Sequence, residues 1–138
     1  MSLVTEVAAA PQALALAHFE SLLQFETDCW DVHHTLSSGH ADFVLLDVRG
    51  ADQFAAGHIP GATHLQHGKI IGSRLAHYAE DTLFVTYCAG PHCNGAARAA
   101  IRLARLGRPV KIMPGGITGW IAEGFALKTA PADAGMHA

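Results

Sequence analysis

The sequence predicts a three-layer α/β/α domain built on a parallel sheet. Three observations lead there. Residues 43–47 (FVLLD) and 82–87 (TLFVTY) are apolar or β-branched without strict alternation, the pattern of strands covered on both faces. Helix-forming stretches separate such runs, the richest being 96–106 (AARAAIRLARL), so helices lie above and below the sheet. Two strands end in groups that bear chemistry, Asp47 with Arg49 and, separately, Cys88, at the edge where parallel sheets place their sites.

In chain order, Pro11 to Ser21 reads as a helix with Ala13, Leu16 and Phe19 on its inner face. Leu22 to Phe25 reads as a short first strand. Thr27-Asp28 caps a helix from Cys29 to Leu36 that ends at Ser38-Gly39. Trp30 and Leu36, with Val32 and His33, are expected to face inward, and Cys29 to fill core. Phe43 to Asp47 is the clearest strand. Gly50 to Ala56 is a short helix, and Gly57-His-Ile-Pro-Gly-Ala62 a turn fixed by proline. Thr63 to Gln66 is a third strand, and Ser73 to Ala79 a helix capped by Ser73. After the strand 82–87 come a small-residue loop and the helix Ala96 to Gly107, which carries Arg98, Arg102 and Arg105 on one side. Pro109 to Met113 is the last strand, with proline where no ladder donor is needed. Pro114-Gly115-Gly116 leads into a helix carrying Trp120, which Gly124 ends.

The 138 residues suit one domain, taken as 11–128, with flexible tails at 1–10 and 129–138. Half the residues are hydrophobic and 15% charged, as in a compact domain. A net charge of −3 and the lack of a basic stripe argue against nucleic acid as a partner. No run approaches a membrane span, and Val7 to Ala10 is too short and lacks the basic start of a signal peptide. Three cysteines are an odd count, unlike a disulfide framework, so reduced thiols and a cytoplasmic setting are expected. The ten histidines are scattered, and neither a metal nor another cofactor is expected.

The chemistry centres on Cys88. It closes a strand and sits before a helix N-terminus, where free N–H groups and the helix dipole favour an anion. A thiolate there gains a lowered pKa and greater reactivity. Ala89, Gly90 and Gly95 allow the backbone to curl around the sulfur and aim amides at it. The competing reading is a buried, inert cysteine.

Four pieces, in order, resemble a single-domain rhodanese-like (sulfurtransferase) protein: Leu46-Asp-Val-Arg49; Phe54-Ala-Ala-Gly-His-Ile-Pro-Gly-Ala62; Val85-Thr-Tyr-Cys88 with its helix; and Gly115-Gly116 with Trp120. The resemblance implies a five-stranded parallel sheet and a catalytic cysteine after the fourth strand, at Cys88. It implies that a Cys88 thiolate takes the outer sulfur of a small donor, thiosulfate or a persulfide. A thiol or sulfur-carrier protein then accepts that sulfur. Ala89, Gly90, Pro91, His92, Cys93, Asn94 and Gly95 would form the substrate loop, its amides holding the persulfide charge. Asp47, Arg49 and His58 would support the rim. In the family a glutamate often pairs with the arginine; here that position is Gln53, with Asp52 beside it. A monomer or homodimer is expected.

The loop departs from the pattern: it is longer than in common single-domain members and carries Cys93. Three readings of Cys93 stay open: a bystander, a resolving thiol that closes a disulfide on Cys88, or the nucleophile itself. An enzyme rival on the same fold is a phosphatase or arsenate reductase. Such a site needs an arginine six positions after its cysteine, where this chain has Asn94, or Ala99 counting from Cys93. A non-catalytic module that senses sulfur or redox state is the other alternative.

Overall fold

The computed structural model of the chain describes residues 1–130. Four strands form one parallel sheet: β1 (Val44–Asp47), β2 (Thr63–His64), β3 (Phe84–Tyr87) and β4 (Val110–Ile112), in the order β2-β1-β3-β4. The α/β/α class is as expected, but the sheet has four strands and not five. The fifth was to be Leu22–Phe25. Those residues instead finish helix α1 (Gln12–Phe25), because Leu-Leu-Gln contains nothing that breaks a helix. What remains of the strand is one parallel bridge from Glu26 to Ile112, with the Thr27 N–H donating to Ile112 O at 2.9 Å.

α1 buries none of its residues; Leu16 and Phe19, expected to face inward, are 61% and 63% exposed. Its apolar side chains are spread around the helix and form no single stripe that could face a core. Asp28 caps α2 (Cys29–Ser37) by accepting from the Asp31 N–H at 2.8 Å. The inner stripe of α2 is Cys29, Val32 and Leu36. Trp30 falls off that stripe and is 62% exposed, contrary to expectation. His33 stacks on Phe125 at 3.7 Å and meets Trp120 edge-on at 5.4 Å.

The helices α3 (Ala51–Ala56), α4 (Gly72–Leu75), α5 (Gly95–Arg105) and α6 (Gly116–Ala122) complete the layers, with a 3₁₀ turn at His67–Lys69. α4 is shorter than expected and Ile71, not Ser73, precedes it as cap. Beyond Leu75 the chain turns away from helix, and Arg108 binds the carbonyls of Leu75, Tyr78 and Ala79 at 2.9, 3.3 and 2.6 Å.

The sheet divides two cores. One face carries Leu45, Val85 and Tyr87 against Cys29 and Val32 of α2 and Ile117 and Trp120 of α6. The other carries Leu46, Val48, Phe84 and Cys88 against Ala96, Ala99 and Leu103 of α5. Strand alternation decides this split: Tyr87 and Cys88 are neighbours in sequence and face opposite cores. No helix among the described residues is long and apolar enough to cross a membrane. The expected tail at 129–138 lies, from residue 131 on, outside the described residues.

Candidate active site at the end of β3

β3 is buried on both faces along its whole length. The Thr86 hydroxyl donates to Ala96 O at 2.9 Å, tying the strand to the first turn of α5. Between them the chain reverses from Cys88 to Asn94. The Cys93 N–H donates to Gly90 O at 3.1 Å, closing a four-residue turn with Pro91 at its second position, where a fixed φ is favourable. The turn brings Cys93 back to Cys88, with Cα atoms 6.4 Å apart, and the two are joined by a disulfide. This corrects the expectation of reduced thiols for two of the three cysteines. The bridge spans five positions inside one loop, so it is a local pair and not a staple between distant parts of the fold.

The start of α6 holds the loop from the other side. The N–H groups of Ile117 and Thr118 donate to the carbonyls of Cys88 and Ala89 at 3.1 and 3.0 Å. Gly116 makes this approach possible. Its φ is +57°, and a Cβ there would lie 2.5 Å from Cys88 O and 2.8 Å from Gly90 N. At Gly90 a Cβ would strike the Thr118 side chain. At Gly95 it would lie 2.8 Å from the Cys88 sulfur, so the bare Cα of α5's first residue covers one side of that sulfur.

Cys88 is only 8% exposed, whereas Pro91, His92, Cys93 and Asn94 are exposed. The expected ring of amides around the Cys88 sulfur does not form in this disulfide state. Among the described residues, the one N–H donated to a sulfur of the pair comes from Gly95, at 3.4 Å, and its acceptor is Cys93 Sγ. The reason is geometric: the disulfide places the second sulfur, not the first, over the open end of α5. The Cys93 sulfur is bonded to Cys88 Sγ and receives the N–H of Gly95, the first residue of α5. Asn94 gives α5 no side-chain cap; its Oδ1 accepts from Arg98 Nε at 3.1 Å. That contact holds the exposed Arg98 back over the first turn of α5.

Asp47, Arg49 and His58 occupy the same end of the sheet but the opposite face. Arg49 forks onto Asp47, with Nε at 3.0 Å from Oδ1 and Nη2 at 2.7 Å from Oδ2, and donates from Nη2 to Gly57 O at 2.6 Å. Gln53 and Asp52, weighed as partners of Arg49, are not used: Gln53 Oε1 accepts from the Gly50 N–H at 3.0 Å, and Asp52 is exposed. The Tyr87 hydroxyl donates to Asp47 Oδ2 at 2.8 Å and accepts from the Ile59 N–H at 3.2 Å. Burial pulls the Arg49 pKa down, but the hydrogen bonds and charge of Asp47 outweigh it and the net shift is upward. Burial, then the Asp47 charge, push the Tyr87 phenol far above its ordinary value. His58 stacks on Phe54 at 3.8 Å and bonds its Nδ1 to Phe54 O at 2.9 Å. The group is a polar clamp that joins β1, β3 and the 57–62 turn.

Sequence reasoning passed over Tyr87 and Gly116. Tyr87 was visible as a polar tip one residue before Cys88, hence on the other face of the strand. Nothing local marked Gly116 as a positive-φ residue pressed against the Cys88 carbonyl. Cys29, the third cysteine, is buried beside α6; burial raises its pKa, and its sulfur lies 3.8 Å from Gly116 O.

The family model for the rhodanese-like domain matches residues 31–123. The chain is 37% identical over 87 residues to the HTH-type transcriptional regulator Rv0324 of Mycobacterium tuberculosis, a match covering 62% of this chain and 38% of that protein. The chain thus spans well under half of that relative's length. Among solved structures, the BH2092 protein of Bacillus halodurans superposes with a TM-score of 0.83 at 33% identity, over 86% of this chain and 87% of that one. The rhodanese-like domain of the Anabaena Alr3790 protein superposes with a TM-score of 0.68 at 23% identity, over 79% and 81% of the two chains, a likeness of fold. With a parallel sheet, a cysteine closing β3 and a family match across most of its described length, the chain belongs to the rhodanese-like domain family.

Proposed function

We propose that the chain is a sulfurtransferase that carries sulfane sulfur on Cys88. The observation that carries this reading is the occupant of the loop: a divalent sulfur already sits bonded to Cys88 Sγ, with the Gly95 N–H directed at it. In the reduced protein that place is free for the sulfur of a donor. A Cys88 thiolate attacks the outer sulfur of thiosulfate, the S–S bond of the donor breaks, and sulfite departs with the electron pair. The persulfide charge then rests at the mouth of α5, where amides and the helix dipole favour it. A thiol or sulfur-carrier protein removes the sulfur in the second step. Asp47, Arg49 and His58 act on this chemistry only through the stability of the sheet edge.

The experiment is intact mass after reduction and incubation with thiosulfate. The expected result is a gain of about 32 Da on the reduced Cys93→Ser chain, in which the sulfur stays on Cys88; cyanide removes it and Cys88→Ser lacks it. Retention of the adduct in Cys88→Ser, or no adduct in any reduced chain, would refute the assignment. A second reading is a module that senses sulfur, favoured by the likeness to a transcriptional regulator. It predicts one round of sulfur uptake per chain without repeated transfer to a thiol acceptor.

A further inference from the structure

Single-cysteine sulfur transfer leaves Cys93 without a task. Three facts bear on it. It is exposed, while Cys88 is 8% exposed. The Gly90–Cys93 turn carries it to bonding distance of Cys88. Its sulfur, and not that of Cys88, receives the Gly95 N–H at the start of α5, which favours its thiolate.

We propose that the Cys88–Cys93 pair reduces sulfane sulfur to sulfide, with Cys93 as the relay; this rests on the Cys88 persulfide proposed above. The Cys93 thiolate attacks the outer sulfur of Cys88–S–SH. A bond forms between that sulfur and Cys93 Sγ, the bond to Cys88 Sγ breaks, and Cys88 leaves as thiolate. No net oxidation occurs in this step. Cys88 then attacks Cys93 Sγ. The Sγ–Sγ bond forms, and the outer sulfur leaves with its proton and the bonding pair as HS⁻. The two cysteine sulfurs together lose two electrons and the departing sulfur gains them.

The order follows from access. Displacement at sulfur needs the leaving group opposite the attacker. On the Cys88 sulfur one side is covered by Gly95 and another is taken up by Cys93. On exposed Cys93 the departing sulfur points to solvent. The product is the disulfide that the structure contains. An external dithiol reopens it by exchange and starts the next cycle.

The test is anaerobic. The full chain is reduced, freed of reductant and given thiosulfate without added thiol; sulfide and intact mass are then read. Wild type is expected to release about one sulfide per chain and end about 2 Da below the reduced mass. Cys93→Ser and Cys93→Ala are expected to hold the adduct of about 32 Da and to release at least about tenfold less sulfide until dithiothreitol is added. Position 93 is exposed, so both variants keep the core intact. If wild type also holds the adduct and releases no sulfide, the relay is wrong and the Cys88 persulfide stands. If sulfide appears equally from wild type and both variants, the relay is wrong as well. If no reduced chain takes up sulfur, the persulfide reading fails and the relay falls with it.

Discussion

Replacing Arg49 by alanine tests whether the clamp is structural or chemical. Its side chain is 8% exposed and that of Asp47 is fully buried. The substitution removes the fork onto Asp47 and the bond to Gly57 O. Breaking a buried pair by deleting one partner costs about 3–5 kcal/mol, because the other charge stays behind. Here Asp47 keeps two donors, the Tyr87 hydroxyl at 2.8 Å and the Arg49 backbone N–H at 3.0 Å. The loss should therefore lie near the lower end, about 3 kcal/mol. For a domain of this size each kcal/mol shifts the midpoint by roughly 3–5 °C, so the expected fall is about 10–15 °C. Thermal unfolding by circular dichroism measures it. Uptake of sulfur from thiosulfate, read well below the lowered midpoint, should be unchanged per folded molecule, since Arg49 lies across the sheet from Cys88. Arg49→Lys should recover only part of the loss, because an ammonium cannot fork. A variant that melts like wild type yet fails to load sulfur would refute this reasoning and give Arg49 a place in the chemistry.

Two further predictions come from the same end of the sheet. The Tyr87 phenol is held protonated in the fold, above its ordinary value of 10.0. Its contribution to stability is full below about pH 10 and is lost as the pH rises from there toward the folded value, because the unfolded chain gives up its proton first. Between about pH 9 and about pH 11, denaturant titration should show wild type losing more stability than Tyr87→Phe; equal losses would contradict the assignment. Gly116→Ala should destabilise by on the order of 2–4 kcal/mol, since it combines a positive φ with a methyl against the Cys88 carbonyl and Gly90 nitrogen. It should also slow closure of the Cys88–Cys93 bridge, measured by thiol trapping. A melting midpoint and closure rate equal to wild type would show that the α6 start does not hold the loop.

Much of the fold was legible because its signals are local. The uninterrupted runs at 43–47 and 82–87 can be buried on both faces only in a parallel sheet. The residues after Tyr87 can serve as little else than a turn into the helix at Ala96. Cys88 therefore falls at a strand end on sequence alone. Leu22–Phe25 misled because a short apolar run fits strand and helix equally, and continuation of α1 decided it. Trp30 is large and hydrophobic yet exposed, because the stripe through Cys29, Val32 and Leu36 sets the inner face of α2.

The sequence by itself determined the α/β class, the position of Cys88 and the presence of a second thiol in its loop. Only the tertiary structure decided that Cys93 meets Cys88, that the amide of Gly95 serves the Cys93 sulfur, and that Asp47, Arg49 and Tyr87 form one clamp on the far face. Each of these depends on a distance between segments: the Gly90–Cys93 turn against α6, the start of α5 against β3, and β1 beside β3. Periodicity and propensity report what a residue prefers along its own chain. They do not report which atoms the packing of separate elements brings together.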